Sequence, residues 1–428
     1  MVEQLRNSPH WPAEDLPIEM KQTHISVLLL GSMHVVKLKK PVDFGFLDYT
    51  TLEKRRQACE SEIRLNRRLC PDVYLGVGKV LELAGQACIS DFAGNPGGNE
   101  EVFDYCVMMK RLPDDRMLDQ LVARNQVTEA MIDRVAARLG EFHLAAPRGA
   151  DVYRWGSLAE IRNNWEENFE QTAPFIGRTI RAAAFASINE WVNGCMDKKA
   201  LLFNQRVREG RIVDGHGDVR CESICVKDED IYIYDCIEFN DRFRCDDVAS
   251  EAAFLAMDLD ARGRPDLGYF FTEAYERRTS DKEFFSLLPF YRCYRAFVRG
   301  KVLSFRLNEQ EFSAEEKQTA ATRASKYFEL ARRYAARLQR PTVIAVGGLS
   351  GAGKTSVARA IASELGLRVV SADAVRQSLF GEAKRPVEYG EGAYTEEANR
   401  RTYQQMIERA RQLLEEGSVV LDATFIRA

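Results

Sequence analysis

Ten cysteines are scattered through the chain, and no two of them form a CxxC pair. Cys221 and Cys225 lie four apart without histidines at zinc-finger spacing, and there are only five histidines in all, so the pattern speaks against a structural zinc site. The thiols read as reduced cysteines of a cytosolic protein. No apolar run approaches membrane-spanning length, and MVEQLRNSPHWPAEDL has no signal-peptide core, so no membrane association is expected. A basic excess is also missing: the net charge is −4, which gives no global field to attract nucleic acid, though a local basic groove is compatible with it. No internal repeat is visible. What remains is the composition of an ordinary soluble protein, 45% hydrophobic and 29% charged, in 428 residues, enough for about two or three domains.

Against that background one stretch stands out, Gly348-Leu-Ser350-Gly351-Ala-Gly353-Lys354-Thr355. It follows the apolar run Thr342–Val346 and leads into the helix-like Ser356–Ala362, which is the strand, loop and helix order of a phosphate-binding P-loop. The glycines let backbone N–H groups wrap an anion, and the helix start adds its positive dipole end. Lys354 is expected on the β/γ-phosphates and Thr355 on Mg²⁺. The nucleotide is expected to be ATP or GTP.

The first third reads as a strand-rich lobe. Apolar runs at Ile25–Leu30 and His34–Leu38 are separated by Gly31-Ser32, a hairpin signal. A helix is predicted from about Thr51 to Leu69, with Thr50 and Glu53 as a capping box and Pro71 past its end. Further strands are predicted at Lys79–Leu83, Ala87–Ile89 and Val102–Met109, with a loop at Gly94–Asn99. After Leu112-Pro113 the pattern turns helical, at Met117–Ala123, Glu129–Ala146 and Ala159–Phe169. Short strands interrupt it over Arg211–Asp235, and helices resume from Asp247 to about Leu338. Pro341 marks a boundary, giving domains at 1–340 (lobes at about 1–112 and 113–340) and 341–428.

A second phosphate site is expected in the first domain. His216-Gly-Asp218-Val-Arg220 is followed by two short strands around Lys227–Asp230 and then by Asp235 at a strand end. Kinase-fold chemistry needs that order: one Asp takes the acceptor hydroxyl's proton, and a second holds Mg²⁺ on the ATP phosphates. Asp218 fits the first role and Asp235 the second, with Arg220 near the transferring group. The same chemistry calls for a strand lysine paired with a helix glutamate. Lys37 is that lysine. On the following helix Glu62 shares an apolar stripe with Ala58, Leu65 and Leu69, and an inward carboxylate demands a cation. Glu60 instead lies in line with Arg56 and Arg64 on a solvated face.

Taken together, Lys37–Val42, Leu65–Leu69, His216-Gly-Asp218 and Asp235–Asn240 resemble the aminoglycoside phosphotransferase branch of the kinase fold, in the bacterial subgroup fused to a C-terminal P-loop kinase domain. The resemblance, over residues of about 20 to 300, implies a bilobal fold with ATP between the lobes and a hinge at Met109–Leu112 for the adenine. It also implies that Asp247 is a structural aspartate behind the metal site, the alternative being a helix N-terminal carboxylate. Where the family has a metal-binding Asn five residues after the catalytic Asp, this chain has Ser223, a weaker ligand. Glu238 or Asp241 are candidates to compensate, and a nucleotide-binding pseudokinase stays open.

In the C-terminal segment, Val369–Arg376 reads as a second strand ending in Asp373-x-x-Arg376, and Ser418–Thr424 as a third ending at Asp422, with the helix Glu396–Glu415 between. This is a doubly wound parallel sheet. It resembles P-loop kinases of the polynucleotide 5′-kinase, gluconate kinase and zeta-toxin type, in which the Asp contacts and deprotonates the acceptor hydroxyl; Asp422 resembles the Walker B metal partner, or caps a turn. About 88 residues follow Pro341, without the lid arginines that such enzymes carry, so this domain is expected to be truncated and slow. The sequence thus points to an α/β and α+β protein, an ATP-dependent phosphotransferase acting on a small-molecule hydroxyl such as a sugar or amino sugar. A nucleic-acid or nucleotide 5′-hydroxyl kinase and an ATP-sensing regulatory module are the alternatives.

Overall fold

The computed structural model describes residues 1–428 except 46, 84, 93–100, 311, 337–340, 366, 382–391, 417 and 426–428. The loop expected at Gly94–Asn99 and the helix end expected near Leu338 fall outside the described residues. The chain divides into two compact units. One comprises Met1–Arg134, Glu141–Gly156 and Gly210–Glu251; the other comprises Val135–Gly140, Ser157–Glu209 and Ala252–Ala428.

The first unit is built on an antiparallel sheet of six strands: β1 (Glu19–Gln22), β2 (Ser26–Leu30), β3 (His34–Lys39), β4 (Tyr74–Leu83), β5 (Gln86–Ile89) and β6 (Val102–Lys110). Their spatial order is β1-β2-β3-β6-β4-β5. Alternation sorts the side chains by face. Val27, Leu29, Val36, Leu38, Val80, Cys106 and Met108 enter one core with Leu5 and Trp11. The odd positions of β3, Lys37 and Lys39, point to the other face, where the helix Leu52–Asn66 lies. β1 was not expected: it is an edge strand with mostly exposed residues and so lacks the apolar alternation that marks a strand.

The helix cap differs from the sequence expectation by one residue. Thr51, not Thr50, accepts the Lys54 amide (3.2 Å), whereas the Thr50 hydroxyl donates to Asp48 (2.6 Å). A Thr-Thr pair offers two caps, and the aspartate two residues upstream takes one of them. Further along, β7 (Ile212–Asp214) pairs with β10 (Cys245–Asp247), and β8 (Ile224–Lys227) forms a hairpin with β9 (Asp230–Ile233). These short ladders carry the His216–Asp218 and Asp235 segments on their connections.

In the second unit, the helices Leu158–Thr172, Ala182–Lys198, Phe284–Phe305 and Ala314–Ala335 pack through an aromatic cluster in which Trp165 stacks on Phe169 and Phe297 meets Phe328 edge-on. The helix Ala182–Lys198 was not expected, although it buries Ala184, Ile188, Val192 and Met196 at the four-residue spacing of one helix face. A parallel sheet follows, from β11 (Val343–Val346), β12 (Arg368–Ser371) and β13 (Val419–Asp422), in the order β11-β13-β12. One face packs Val370, Val419 and Leu421 against Val375, Met406 and Ala410 of the helices Ala372–Phe380 and Glu396–Glu416. The other packs Val420 against Ala358 and Ala362 of the P-loop helix Lys354–Leu365 and against Tyr269. Tyr269 comes from the helix Pro265–Thr279. Its hydroxyl accepts the Val369 amide (3.2 Å) and donates to Glu273 (2.8 Å). Among the described residues no helix is long and apolar enough to cross a membrane.

Candidate active site

Glu62 lies on the buried stripe of its helix, together with Arg55, Cys59 and Asn66. Its carboxylate meets two lysines: Lys37 Nζ lies 2.9 Å from Oε1, and Lys39 Nζ contacts Oε2. Glu60 is exposed and pairs with Arg56 (2.9 Å), the opposite phase of the same helix. Lys37 also lies 2.9 Å from Asp235 Oδ1, so β3, the helix and the segment after β9 converge on one ammonium group. Burial opposes the charge on Lys37, but Asp235, Glu62 and Glu238 outweigh it and hold the ammonium well above the ordinary lysine range. Lys37 in turn draws the Asp235 carboxyl below its usual value, ahead of the opposing cost of desolvation.

Asp235 has a left-handed backbone (φ 64°), unusual for a residue with a Cβ. Two hydrogen bonds hold it there: its amide donates to the Tyr74 hydroxyl (3.2 Å), and the next amide, of Cys236, donates to Asn66 Oδ1 (2.9 Å). Burial pushes the thiols of Cys59 and Cys236 up to about 12, so neither is a nucleophile near neutral pH.

The loop before Asp218 is fixed from beneath. Glu251 Oε1 accepts the His216 amide (2.5 Å) and the Gly217 amide, and Oε2 accepts from His143 Nε2 (2.7 Å). Gly217 has φ 89°, and a Cβ there would lie 2.7 Å from the Phe243 carbonyl oxygen, so glycine is required. His216 is fully buried, which lowers its pKa; its Nε2 donates to the Tyr234 carbonyl (3.0 Å), leaving Nδ1 to accept the Asp218 amide (3.3 Å). This histidine orients the loop as a neutral ring. Glu251 and His143 were missed by sequence reasoning, because one sits on an apolar helix and the other 108 residues away.

Burial alone would raise the Glu251 carboxyl, but the hydrogen bond and charge of His143 and the Gly217 amide outweigh it and bring it to about 2. A carboxyl depressed on folding stabilises above its unfolded value, and that contribution is lost as pH falls through the folded one. Here the window runs from about 4.5 to about 2. The shift corresponds to about 3 kcal/mol. Glu251→Gln is therefore expected to be destabilised at pH 7 and to lose less of its remaining stability than the parent between pH 4.5 and 2, as read from melting midpoints.

The Arg220 guanidinium grips Asp218 at both oxygens (2.7 and 2.8 Å) and reaches Glu222 (2.5 Å). The Ser223 hydroxyl is engaged inside its own loop: its one proton faces the Asp218 and Arg220 carbonyls (both 2.9 Å), and its oxygen accepts the Arg220 amide (3.0 Å). Asp247 is buried and caps its helix through the Ala249 amide (2.8 Å). Asp241 pairs with Arg244 (2.6 Å). Met109 lies near the end of β6, opposite Val35 of β3 and Tyr74 of β4. Asp235 suits a hard cation bound together with phosphate oxygens. Among the described residues no group of three or more His, Cys, Asp or Glu could hold a metal alone.

In the other unit, Gly348, Gly351 and Gly353 take φ values of 154°, 77° and 79°. Lys354 curls over the loop to the Leu349 carbonyl (2.7 Å), and Ser350 is exposed at its tip. Thr355 Oγ1 donates to Asp422 Oδ2 (2.8 Å), so the two residues expected on the metal side of this site meet. Asp373 stands not at the end of β12 but in the first turn of the following helix, where a carboxylate suits the dipole; β12 stops at Ser371. It is largely exposed and pairs with Arg376 (2.8 Å), which also donates to Asn399 (2.9 Å).

A family model described as AAA domain matches residues 343–428, the segment containing β11, the P-loop and β13. Over nearly its whole length the chain is similar to two mycobacterial proteins, the uncharacterized protein Rv2004c of Mycobacterium tuberculosis and the uncharacterized protein Mb2027c of Mycobacterium bovis. Each is 34% identical over 424 residues, which cover 97% of this chain and 80% of the relative. Among solved structures it is similar to a choline/ethanolamine kinase family protein from Mesorhizobium loti (10% identity, TM-score 0.43, 77% of this chain and 97% of that one). A glucosamine kinase in complex with glucosamine, ADP and inorganic phosphate is also similar (15% identity, TM-score 0.40, 72% and 74%).

Proposed function

The chain belongs to the family that includes Rv2004c and Mb2027c, and we propose that it is an ATP-dependent phosphotransferase with a second, P-loop nucleotide site. One observation carries the reading: Lys37 lies 2.9 Å from both Glu62 and Asp235, which come from segments far apart in the sequence. That arrangement suits a lysine that binds nucleotide phosphates beside a carboxylate for their Mg²⁺. Mg²⁺ held with the phosphates would supply charge neutralisation. Asp235 is the residue to hold it, while Ser223, whose hydroxyl is engaged within its loop, is less suited. Asp218 accepts the proton of a small-molecule hydroxyl as that oxygen bonds to the γ-phosphorus, the bond from the γ-phosphorus to the β,γ-bridging oxygen breaks and ADP leaves. Arg220 keeps the carboxylate aimed. Backbone groups of Met109–Leu112 are the proposed adenine contacts.

In the P-loop unit, Lys354 and the loop amides are proposed to hold phosphates, and Thr355 with Asp422 their Mg²⁺. Asp373 and Arg376 form the acceptor side. The engaged Ser223 favours a second reading, a nucleotide-binding regulator with slow or no transfer at the first site. An ATP-consumption screen over sugars, amino sugars, nucleosides and 5′-hydroxyl oligonucleotides separates the two. Acceptor-dependent turnover lost in Lys37→Ala but kept in Lys354→Ala assigns it to the first site. Turnover with the converse dependence, on oligonucleotides, assigns a 5′-hydroxyl kinase. Nucleotide binding without turnover favours the regulator.

A further inference from the structure

Two residues along β3 from Lys37, on the same face, Lys39 is wholly enclosed. Its ammonium contacts Glu62 and Glu238, and the Tyr49 ring lies beneath it (5.2 Å to the centroid). The Tyr49 hydroxyl donates to the same Glu238 oxygen (2.8 Å). The two lysines thus share Glu62, and each holds one carboxylate of the segment after β9: Lys37 holds Asp235, and Lys39 holds Glu238. They differ in access. Lys37 and Asp235 have side chains 12% and 53% exposed; Lys39 and Glu238 have 0% and 5%. Only the first pair can turn to a ligand from solvent. If Lys37 were the sole cation here, its move to a phosphate would leave Glu62 buried and uncompensated, a costly state. Lys39 removes that penalty.

We propose that Lys39 and Glu238 are positioning residues that anchor the Asp235 segment to β3, so that Lys37 and Asp235 can be handed to the nucleotide phosphates and their divalent cation. This rests on the nucleotide-site reading above. Glu238 is on this account no metal ligand: its carboxylate is occupied by Lys39 and Tyr49. Burial would raise its pKa, but Lys39 outweighs that and keeps it charged.

The test uses the full chain with Lys354→Ala to silence the P-loop, and reads ATP binding by calorimetry across a Mg²⁺ titration. In Glu238→Gln, and separately in Lys39→Met, the Mg²⁺ concentration for half-maximal ATP affinity is expected to rise about tenfold. ATP affinity without Mg²⁺ should change little in Glu238→Gln. The double variant should lose less than the product of the single losses, the sign of a coupled pair. Tyr49→Phe, which deletes one hydrogen bond, gives a readout should either of the larger changes unfold the protein; a rise of about threefold is expected. Unchanged Mg²⁺ dependence in the folded variants, while Lys37→Ala still weakens ATP binding, overturns the anchoring role alone. No effect of Lys37→Ala on ATP binding removes the nucleotide-site reading and this inference with it.

Discussion

Asp218→Asn is expected to lower acceptor-dependent phosphoryl transfer by about 10³-fold, with ATP affinity within about twofold of the parent. The substitution keeps the size of the side chain and one acceptor oxygen for Arg220, and removes the base. Asp218 is partly exposed, on a loop whose preceding residues are held by Glu251 and by neutral His216, so the backbone should not move. Alanine would be a poorer test, because it would leave Glu222 as the described anion on the Arg220 guanidinium, and an ATP phosphate could recruit the freed N–H groups. Steady-state rates with a single identified acceptor, alongside equilibrium ATP binding, check the claim. A rate within tenfold of the parent would show that the proton leaves without Asp218, as a loose phosphoryl-transfer transition state permits.

Lys354→Ala is expected to weaken nucleotide binding at the P-loop by about 100-fold, close to the loss of one strong charge-assisted contact in a site otherwise built from backbone amides. The ammonium now rests on the Leu349 carbonyl, a neutral partner of its own loop, so the ligand need only displace a single hydrogen bond to recruit it. The fold should be unaffected, since the side chain supports nothing else that is described. Binding of a fluorescent nucleotide in the full chain, with Lys37→Ala as background, isolates this site. Undiminished affinity would mean that the loop amides suffice or that the loop does not hold the nucleotide.

The residues that meet around Lys37 were legible because their demands are local and strict. A carboxylate on the buried phase of a helix must find a cation, and β3 offered lysines at the right height; helix phase alone separates Glu62 from Glu60. The P-loop was legible because positive-φ positions call for glycine, and Gly351 and Gly353 adopt them. Lys39 escaped notice although it stands two residues from Lys37, because period-2 alternation predicts its face but not which distant carboxylate will reach it. Glu238 is 199 positions away from it in the sequence. The Glu251–His143 support was hidden for the same reason. β1 was missed because an edge strand need bury little. Asp373 lies two residues past the strand, in the first turn of the helix, because the pattern cannot divide the residue or two at that junction.

Tyr269 has a bearing on how this chain can be cut or transplanted. The P-loop sheet has three described strands, and part of the cover on one of its faces is lent by a helix that ends at Thr279, well before β11 begins at Val343. A fragment starting at Pro341 would present Val420, Ala358 and Ala362 without the ring that lies against them, and the Val369 amide without its hydroxyl acceptor. Such a piece invites self-association through the bared patch. A transplanted P-loop segment would need a host that offers an aromatic residue at the same place.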